Sequence, residues 1–170
     1  MLPPRPLPPF EGWPIQIADQ EASLFGWFVA PNIFLFQYHE PTYGLITAQR
    51  VVHYVDSAMA ANREQILGAG GMVAIHDARL ISKVAADGQR YLNAAWNKLK
   101  PAELSAGYVI VADKMPGIAL AALNFVNIVA AFATGKTMKL LRHYAVPFAT
   151  HAVAPPSAAA LFPGLTGTRG

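Results

Sequence analysis

The sequence predicts an α/β fold in which a mixed sheet of about five strands begins with a hairpin, continues through parallel crossovers and carries about three to four helices. Two observations indicate this class. Short runs of aromatic and β-branched residues alternate along the chain with longer segments of helical periodicity. The first two short runs follow each other with no helical segment between them. A length of 170 residues fits one such domain.

The initial hairpin is predicted from residues 24–29 and 33–38. Both segments consist mainly of aromatic and β-branched residues, which favour strands. Ala30-Pro31-Asn32 separates them, and proline presets the backbone for a turn. We therefore expect two antiparallel strands joined by a tight connection.

A first helix and a buried strand are predicted next. The helix is expected to begin with Thr47 as its N-cap and to end at the glycines of residues 68–71. A strand is expected over residues 72–76, and Asp77 marks its end. The apolar residues of the helix recur at helical spacing: Val51, Val52, Val55, Met59, Ile66 and Leu67.

A second helix is predicted from about Ser82 to Leu99. Ser82 has the side chain of an N-cap, and proline follows the end of the helix at position 101. Residues 108–112 are continuously apolar and predict the next strand.

The third helix is predicted over residues 117–135. Pro116 suits its first turn and Gly135 its C-terminal cap. The segment is apolar enough to be tested as a membrane span, but Asn124 and Asn127 interrupt it. We therefore expect a buried helix of a soluble protein.

A last strand over residues 138–144 and a short helix after Pro147 complete the predicted domain. The predicted organisation is a proline-rich arm over residues 1–20, an α/β domain over 21–153 and a low-complexity tail over 154–170. The N-terminal segment lacks the continuous apolar core of a secretion signal, so a cytoplasmic location is expected.

Composition narrows the classes of function. Only 14% of the residues are charged, which favours a surface that is partly covered by a partner. The absence of cysteine excludes a disulfide framework, thiol catalysis and cysteine-ligated zinc. The five histidines show no metal-ligand spacing, so neither a metal nor another cofactor is expected.

His76 and Asp77 are the best-placed candidates for chemistry, because ligands of α/β sheets bind beyond the carboxyl ends of strands. Successive strand residues point to opposite faces, so the two side chains are not expected to pair. Bonding to backbone donors of the next loop is the simpler expectation, and a small enzyme or ligand-binding protein using this pair is an alternative. Thr134-Gly135-Lys136-Thr137 imitates a phosphate-binding loop but follows a helix, so a helix cap is expected there.

Charge is distributed unevenly along the chain. Residues 1–78 carry three basic and seven acidic side chains, and residues 79–170 carry ten basic and three acidic ones. A solvated basic face is the simplest interpretation of this asymmetry, and an acidic protein partner and head-to-tail self-association are the alternatives. Nucleic acid is less favoured, because no aromatic-basic motif accompanies the charge. The positions expected to form a basic face are Lys83, Lys98, Lys100, Lys114, Lys136, Lys139 and Arg142.

Several motifs resemble the STAS or SpoIIAA-like domain of anti-sigma-factor antagonists, and in particular small bacterial STAS-like proteins. The similarity rests on Ile75-His76-Asp77-Ala78-Arg79 at a strand end and on Arg90 and Trp96 in the following helix. It continues with a strand over 107–112 and with Ala122-Leu123-Asn124 in a helix of small residues. The resemblance covers roughly residues 24–150.

The resemblance implies a non-enzymatic regulatory or scaffolding module that acts through protein contacts. In SpoIIAA-like antagonists a serine at the start of the second helix is phosphorylated, but the corresponding residues 84–88 contain none. Ser82 is the nearest hydroxyl, with helix capping as its alternative role.

The N-terminal arm is a further candidate for binding. Residues 5–9 have the pattern of a polyproline ligand for an aromatic groove, and a simple spacer is the alternative. The expected partners are other proteins, including an anti-sigma or kinase-like regulator, or further copies in a homo-oligomeric assembly; binding to a membrane is not expected. The predicted interaction residues are Arg5, Leu7, Phe10, Trp13, Asp77, Arg79, Ser82, Lys83, Asp87 and Arg90.

Overall fold

A computed structural model describes residues 15–30 and 32–151, and it confirms the α/β class with a mixed sheet. The main sheet has six strands in the order β1-β2-β3-β5-β7-β8, and β4 and β6 form a separate pair. The strands are β1 (Ile15–Asp19), β2 (Leu24–Ala30), β3 (Ile33–Tyr38), β4 (Thr42–Tyr43), β5 (Met72–Asp77), β6 (Lys83–Val84), β7 (Leu104–Ile110) and β8 (Met138–Leu141).

Three long helices connect the parallel strands. A short 3₁₀ turn, Pro101–Glu103, precedes β7. Within the described residues, no helix has the length and hydropathy required to cross a bilayer. The α-helices are α1 (Leu45–Gly68), α2 (Ala86–Trp96), α3 (Gly117–Thr134) and α4 (Ala145–Thr150).

The predicted hairpin is confirmed as β2 and β3, and β1 adds a third antiparallel strand to it. The sequence placed Ile15–Asp19 in the proline-rich arm. In the structure the end of this strand is tied to α1, because Arg50 Nε lies 3.2 Å from Asp19 Oδ2 and the Tyr54 hydroxyl donates to the same oxygen at 2.9 Å. The main sheet therefore contains one strand more than expected.

The remaining strands of the main sheet are parallel, with β3, β5, β7 and β8 in register one after another. Strand alternation gives the sheet two apolar faces. One face packs under the long helices, and it contributes Phe34, Phe36 and Ala74 to a core shared with Val51, Trp96 and Val126. On the other face the described packing element is α4, through Phe148. The buried residues of that second face are Trp27, Ile33, Leu35, Val73, Ile75, Tyr108 and Ile110.

The start of α1 differs from the prediction. The helix begins at Leu45 with Gly44 as its N-cap, and no side chain caps it. Thr47 lies inside the first turn, where it is buried and donates from its hydroxyl to the Ala22 carbonyl at 3.5 Å. The glycines at the other end act as predicted, since Gly70 and Gly71 have φ angles of 91° and 96° that favour glycine.

The start of α2 was also predicted wrongly. Ser82 is not its N-cap, because the helix begins at Ala86. Residues 83 and 84 are held extended as β6 by their parallel pairing with β4, and the Ser82 amide donates to the Pro41 carbonyl at 2.8 Å. This loop pairing delays the helix by several residues. The helix then ends at Trp96, short of Leu99.

The second half follows the predicted order with shifted boundaries. β7 covers residues 104–110 instead of 108–112, and β8 ends at Leu141 instead of Tyr144. α4 starts at Ala145, two residues before Pro147, which therefore lies in its first turn. Gly135 caps α3 with a φ of 70°, as predicted.

Candidate functional site

Asp77 lies at the carboxyl end of β5, where four polar groups converge on its buried carboxylate. Arg79 forms a bidentate ion pair with it, from Nε to Oδ1 at 2.9 Å and from Nη2 to Oδ2 at 2.7 Å. The Arg79 backbone amide also donates to Oδ1 at 3.2 Å, which is the predicted bond to the following loop. The Tyr144 hydroxyl and Gln37 Nε2 donate to Oδ2, the latter at 3.4 Å. We call Gln37, Asp77, Arg79 and Tyr144 the Asp77 cluster.

The Asp77 cluster is closed by contacts among its own members. The Arg79 guanidinium lies 5.2 Å from the centre of the Tyr144 ring, and Gln37 Nε2 also donates to the Tyr144 hydroxyl at 3.1 Å. Hydrogen bonding to Asp77 raises the pKa of Arg79, and burial followed by the charge of Asp77 raises the pKa of Tyr144. Arg79 therefore stays charged and Tyr144 stays neutral. This arrangement stabilises the strand end and the loop that follows it.

His76 points to the opposite face of the sheet, so the structure does not bring it together with Asp77. Its Nδ1 lies 2.5 Å from the Tyr38 hydroxyl, and the two rings are stacked with centroids 6.0 Å apart. Burial lowers the pKa of His76 to about 4, so the imidazole is neutral at pH 7. The separation of the pair agrees with the strand-alternation argument.

Two small cavities flank His76 between the sheet and α2. Their volumes are about 40 and 50 Å³, and both are lined by His76, Leu92 and Trp96. The Trp96 indole nitrogen is buried without a hydrogen-bond partner among the described residues. Ligand pockets for organic molecules usually measure about 300–1,000 Å³, whereas these cavities hold only water-sized molecules.

The other predicted interaction residues that follow β5 are spread over the loop before α2 and the start of α2. The Ser82 hydroxyl donates to the Pro41 carbonyl at 3.4 Å, and Lys83 is an exposed residue of β6. Asp87 accepts a hydrogen bond from the Gly88 amide at 2.7 Å, and Arg90 is exposed on α2. The predicted residues Arg5, Leu7, Phe10 and Trp13 lie outside the described residues.

The remaining histidines are scattered. His39 packs against Phe25 with ring centroids 4.6 Å apart, and His151 Nε2 lies 3.1 Å from the Tyr108 hydroxyl. His53 Nε2 lies 3.3 Å from the Ser57 hydroxyl. In the part of the chain that the structure describes, no three histidine or carboxylate side chains are grouped as metal ligands.

The predicted basic face is divided between opposite edges of the sheet. Lys83, Lys114 and Arg142 follow β5, β7 and β8, and therefore lie at the carboxyl edge. Lys98, Lys100 and Lys136 precede β7 or β8 and lie at the amino edge, while Lys139 is an exposed residue of β8. Because these edges are the two ends of parallel strands, the seven positions do not form one continuous surface.

A groove of about 480 Å³ lies between α1 and α2 at the amino edge. Arg63 and Glu103 form an ion pair of 2.6 Å within it, and Asp56 and Lys98 also line it. Burial raises the pKa of Asp56, while the nearby Lys98 charge opposes that shift. The groove thus carries charges of both signs that face one another.

The sequence analysis missed an exposed apolar surface on α3. Ile118 is 80% exposed, and Phe125 and Ile128 are each 53% exposed. Ala121 is exposed between them, and all four positions follow the three-four-three spacing of one helix face. We call Ile118, Ala121, Phe125 and Ile128 the α3 outer face.

The opposite face of α3 packs into the domain. Ala119 and Val126 are buried there, and Leu123 packs against the same core. The prediction of a buried helix is therefore wrong for the outer face. The helix is apolar on both sides and has no charged residue from Gly117 to Thr134, so composition alone did not show which side would be covered. The spacing does not distinguish the two faces either, because Ala119, Leu123 and Val126 of the packed face also recur at intervals of four and three residues.

Of the two asparagines in this apolar helix, Asn127 has a structural role. Its Nδ2 donates to the Met138 carbonyl at 2.8 Å, and its Oδ1 accepts from the Met138 amide at 2.6 Å. The side chain thereby satisfies both backbone groups of a residue in β8, the last strand of the sheet. Beside it is a cleft of about 260 Å³ lined by Asn127, Ile128, Ala131 and Thr137.

Comparisons with known proteins give no guide to function, which therefore has to be inferred from the fold and the exposed surfaces. No protein-family model, no curated protein and no solved structure matches this chain.

Proposed function

We propose that this chain is a non-enzymatic protein-interaction module and that the α3 outer face is its docking surface. Such a role is the one that the STAS-like motifs imply. The observation that carries the proposal is the exposure of Ile118, Phe125 and Ile128 on one face of a helix that has no charged residue. Large apolar side chains grouped on a surface are typical of contacts with another protein.

The energetics of the α3 outer face favour docking. Burying one large apolar side chain contributes roughly 1.5–3 kcal/mol, and three of them are exposed here. A partner that covers this helix would not have to desolvate a charge of α3, and the exposed Asn124 beside Ala121 and Ile128 is the polar side chain that it would have to accommodate. The face is thus suited to a partner that is itself apolar at the centre of its contact.

The polar groups at the carboxyl edge support a non-enzymatic role. The Asp77 carboxylate is occupied by Arg79 and Tyr144, and His76 lies on the other side of the sheet. A catalytic pair would need both groups within reach of one substrate atom. The alternative in which a proline-rich arm drives assembly concerns residues 1–14, which lie outside the described residues, and it stays a prediction.

Site-specific photo-crosslinking in the native cell tests the docking surface. Benzoylphenylalanine replaces Phe125 in one variant and Leu80 in the control, because Leu80 is 46% exposed but belongs to the carboxyl-edge loop. We expect protein adducts from position 125 and none from position 80. Addition of Ile118→Asp should remove the adducts from position 125. Equal adduct yields at both positions, or no adduct at position 125, would contradict the proposal.

A further inference from the structure

We infer that the partner of the α3 outer face is a second copy of this chain, packed with its α3 antiparallel to the first around a two-fold axis. This inference rests on the proposed function, since it names the occupant of the same surface. It follows from the shape of the face, from its symmetry and from the charges at its two ends.

The α3 outer face has a projection at its N-terminal end and borders a recess near Ile128. Ile118 is 80% exposed, more than any other large apolar side chain among the described residues. The cleft of about 260 Å³ beside Ile128 lies ten residues further along the helix, which corresponds to about 15 Å. An antiparallel second copy places its own Ile118 at that cleft, and the first copy's Ile118 enters the equivalent cleft in return. One contact therefore fills both recesses.

The spacing of the α3 outer face is symmetric about residue 123. Reversal of the helix about that point brings Ile118 opposite Ile128 of the second copy, and Ala121 opposite Phe125 of the second copy. Each layer thus combines side chains that fit, with the large ring of Phe125 above the small Ala121. The positions 118, 121, 125 and 128 have the spacing of a helix that pairs with another helix.

The charges at the ends of α3 favour the antiparallel direction. Asp113 precedes the helix and is exposed, and Lys136 follows it and is also exposed. In an antiparallel pair these residues of the two copies come within about one helical turn of each other along the axis. In a parallel pair the two copies of Lys136 would face each other, which is repulsive, whereas at the other end Asp113 is balanced by the adjacent exposed Lys114. Between these ends the helix presents no charge to the contact.

The contact closes on itself after two copies. Each copy uses the same residues to receive and to insert, so the interface is isologous and leaves no free projection for a third copy. This surface therefore predicts a dimer, in contrast to the head-to-tail assembly that is one alternative for the uneven charge of the two chain halves.

Disulfide mapping tests the arrangement directly, because the chain contains no cysteine of its own. The variants Ile118→Cys and Ile128→Cys are purified separately, one of them with a size tag, and are oxidised alone and as a mixture. We expect the mixture to form a disulfide-linked heterodimer, because positions 118 and 128 of different copies are opposite each other. Each variant alone should form little, because its two cysteines are about 15 Å apart. Leu80→Cys is the control and should not cross-link.

Three results would overturn the inference. Efficient cross-linking of each variant alone would show a parallel pair, and cross-linking of Leu80→Cys to the same extent would show random collision. No cross-link in the mixture, together with a wild-type molar mass of a single 18.3 kDa chain, would show that the copies do not pair. In that last case, adducts of a different protein at position 125 would keep the proposed function, whereas a lack of adducts would remove both.

Discussion

The carboxyl-edge region, residues 77–88, and the α3 outer face use their side chains in opposite ways. In the first region the polar groups of the Asp77 cluster bind one another, and the loop pairs with β4 through β6. In the second, half or more of the surface of each of Ile118, Phe125 and Ile128 is exposed. The region that had the residue types of a functional site pairs its charged groups internally, although the Gln37 Oε1 oxygen of the Asp77 cluster is buried without a hydrogen-bond partner among the described residues. The region that had only apolar residues is the one left exposed.

Residue type alone is therefore a poor guide to a binding surface. Asp77 and Arg79 are obvious candidates for a functional site because they are charged and lie at a strand end, yet they form an ion pair with each other. Phe125 and Ile128 are not candidates on sequence grounds, because apolar residues in a helix are usually assigned to the core. What separates the two regions is whether a group already has its partner within the same chain.

The largest effect is expected from Asp77→Ala in the carboxyl-edge region. Loss of a buried carboxylate leaves Arg79 and Tyr144 without their acceptor, and we expect the free energy of unfolding to fall by about 3 kcal/mol. This value lies at the lower end of the range for broken buried pairs, because Arg79 is partly exposed and can be hydrated. Urea denaturation measures the change. Asp113→Ala, at an exposed carboxylate 3.9 Å from Arg142, is the control and should cost no more than about 0.5 kcal/mol.

Acid should destabilise the core beneath α2 through His76. Its pKa is about 4 in the folded chain and near 6.5 in the unfolded chain, so the unfolded state binds the proton first as the pH falls. The stability contributed by the neutral imidazole is complete above pH 6.5 and is lost as the pH falls toward 4, by about 2 kcal/mol at pH 4.5. Urea denaturation at pH 7 and 4.5 measures this loss, and His76→Gln should reduce it. An equal loss in the variant would assign the acid sensitivity to other groups.

Gly88→Ala tests the tight contact at the start of α2. A Cβ at this position would lie 2.7 Å from the Gly44 carbonyl carbon and oxygen, which are backbone atoms that cannot move independently. We expect a loss of about 1–2 kcal/mol, since overpacking exceeds the helix propensity gained. Gly117→Ala is the matched control at the start of α3, where a Cβ would meet no atom within 4 Å, and it should be neutral or slightly stabilising. A similar loss in both variants would indicate that contact with Gly44 is not the cause.

The smallest effect on folding is expected from Phe125→Asp on the α3 outer face. At a dilution where the wild type is a single chain, the free energy of unfolding should change by less than about 1 kcal/mol, because Phe125 is half-exposed and its replacement leaves no buried cavity. Urea denaturation of the diluted variant measures this. A loss as large as that of Asp77→Ala would mean that Phe125 is a core residue, and the contrast between the two regions would fail.

The main elements could be predicted from the sequence, because their signals are local. Aromatic and β-branched runs mark β2 and β3, and Gly135 marks the end of α3 through a backbone conformation that favours glycine. The pairing of β4 with β6 could not be predicted, since two-residue strands have no periodicity and depend on a partner 40 residues away. That contact also explains the wrong assignment of Ser82 as a helix cap.

The candidate site was predictable only in part, for the same reason. Strand alternation correctly separated His76 from Asp77, because that rule depends on neighbouring residues alone. The exposure of α3 depends on which neighbours pack against it, and a helix that is apolar on both sides does not contain this information in its composition. Ile118 and Phe125 therefore emerged only from the folded chain.

The molar masses in solution of the wild type, Phe125→Asp and Leu80→Asp test most directly whether two copies of the chain pair through the α3 outer face. Light scattering of the wild type should give twice the 18.3 kDa of one chain at concentrations where the copies pair. Under the same conditions Phe125→Asp should give the mass of one chain, whereas Leu80→Asp, with its exposed apolar side chain in the carboxyl-edge region, should keep the mass of two. A single-chain mass for the wild type, or loss of the pair in Leu80→Asp but not in Phe125→Asp, would contradict the pairing of two copies through this surface.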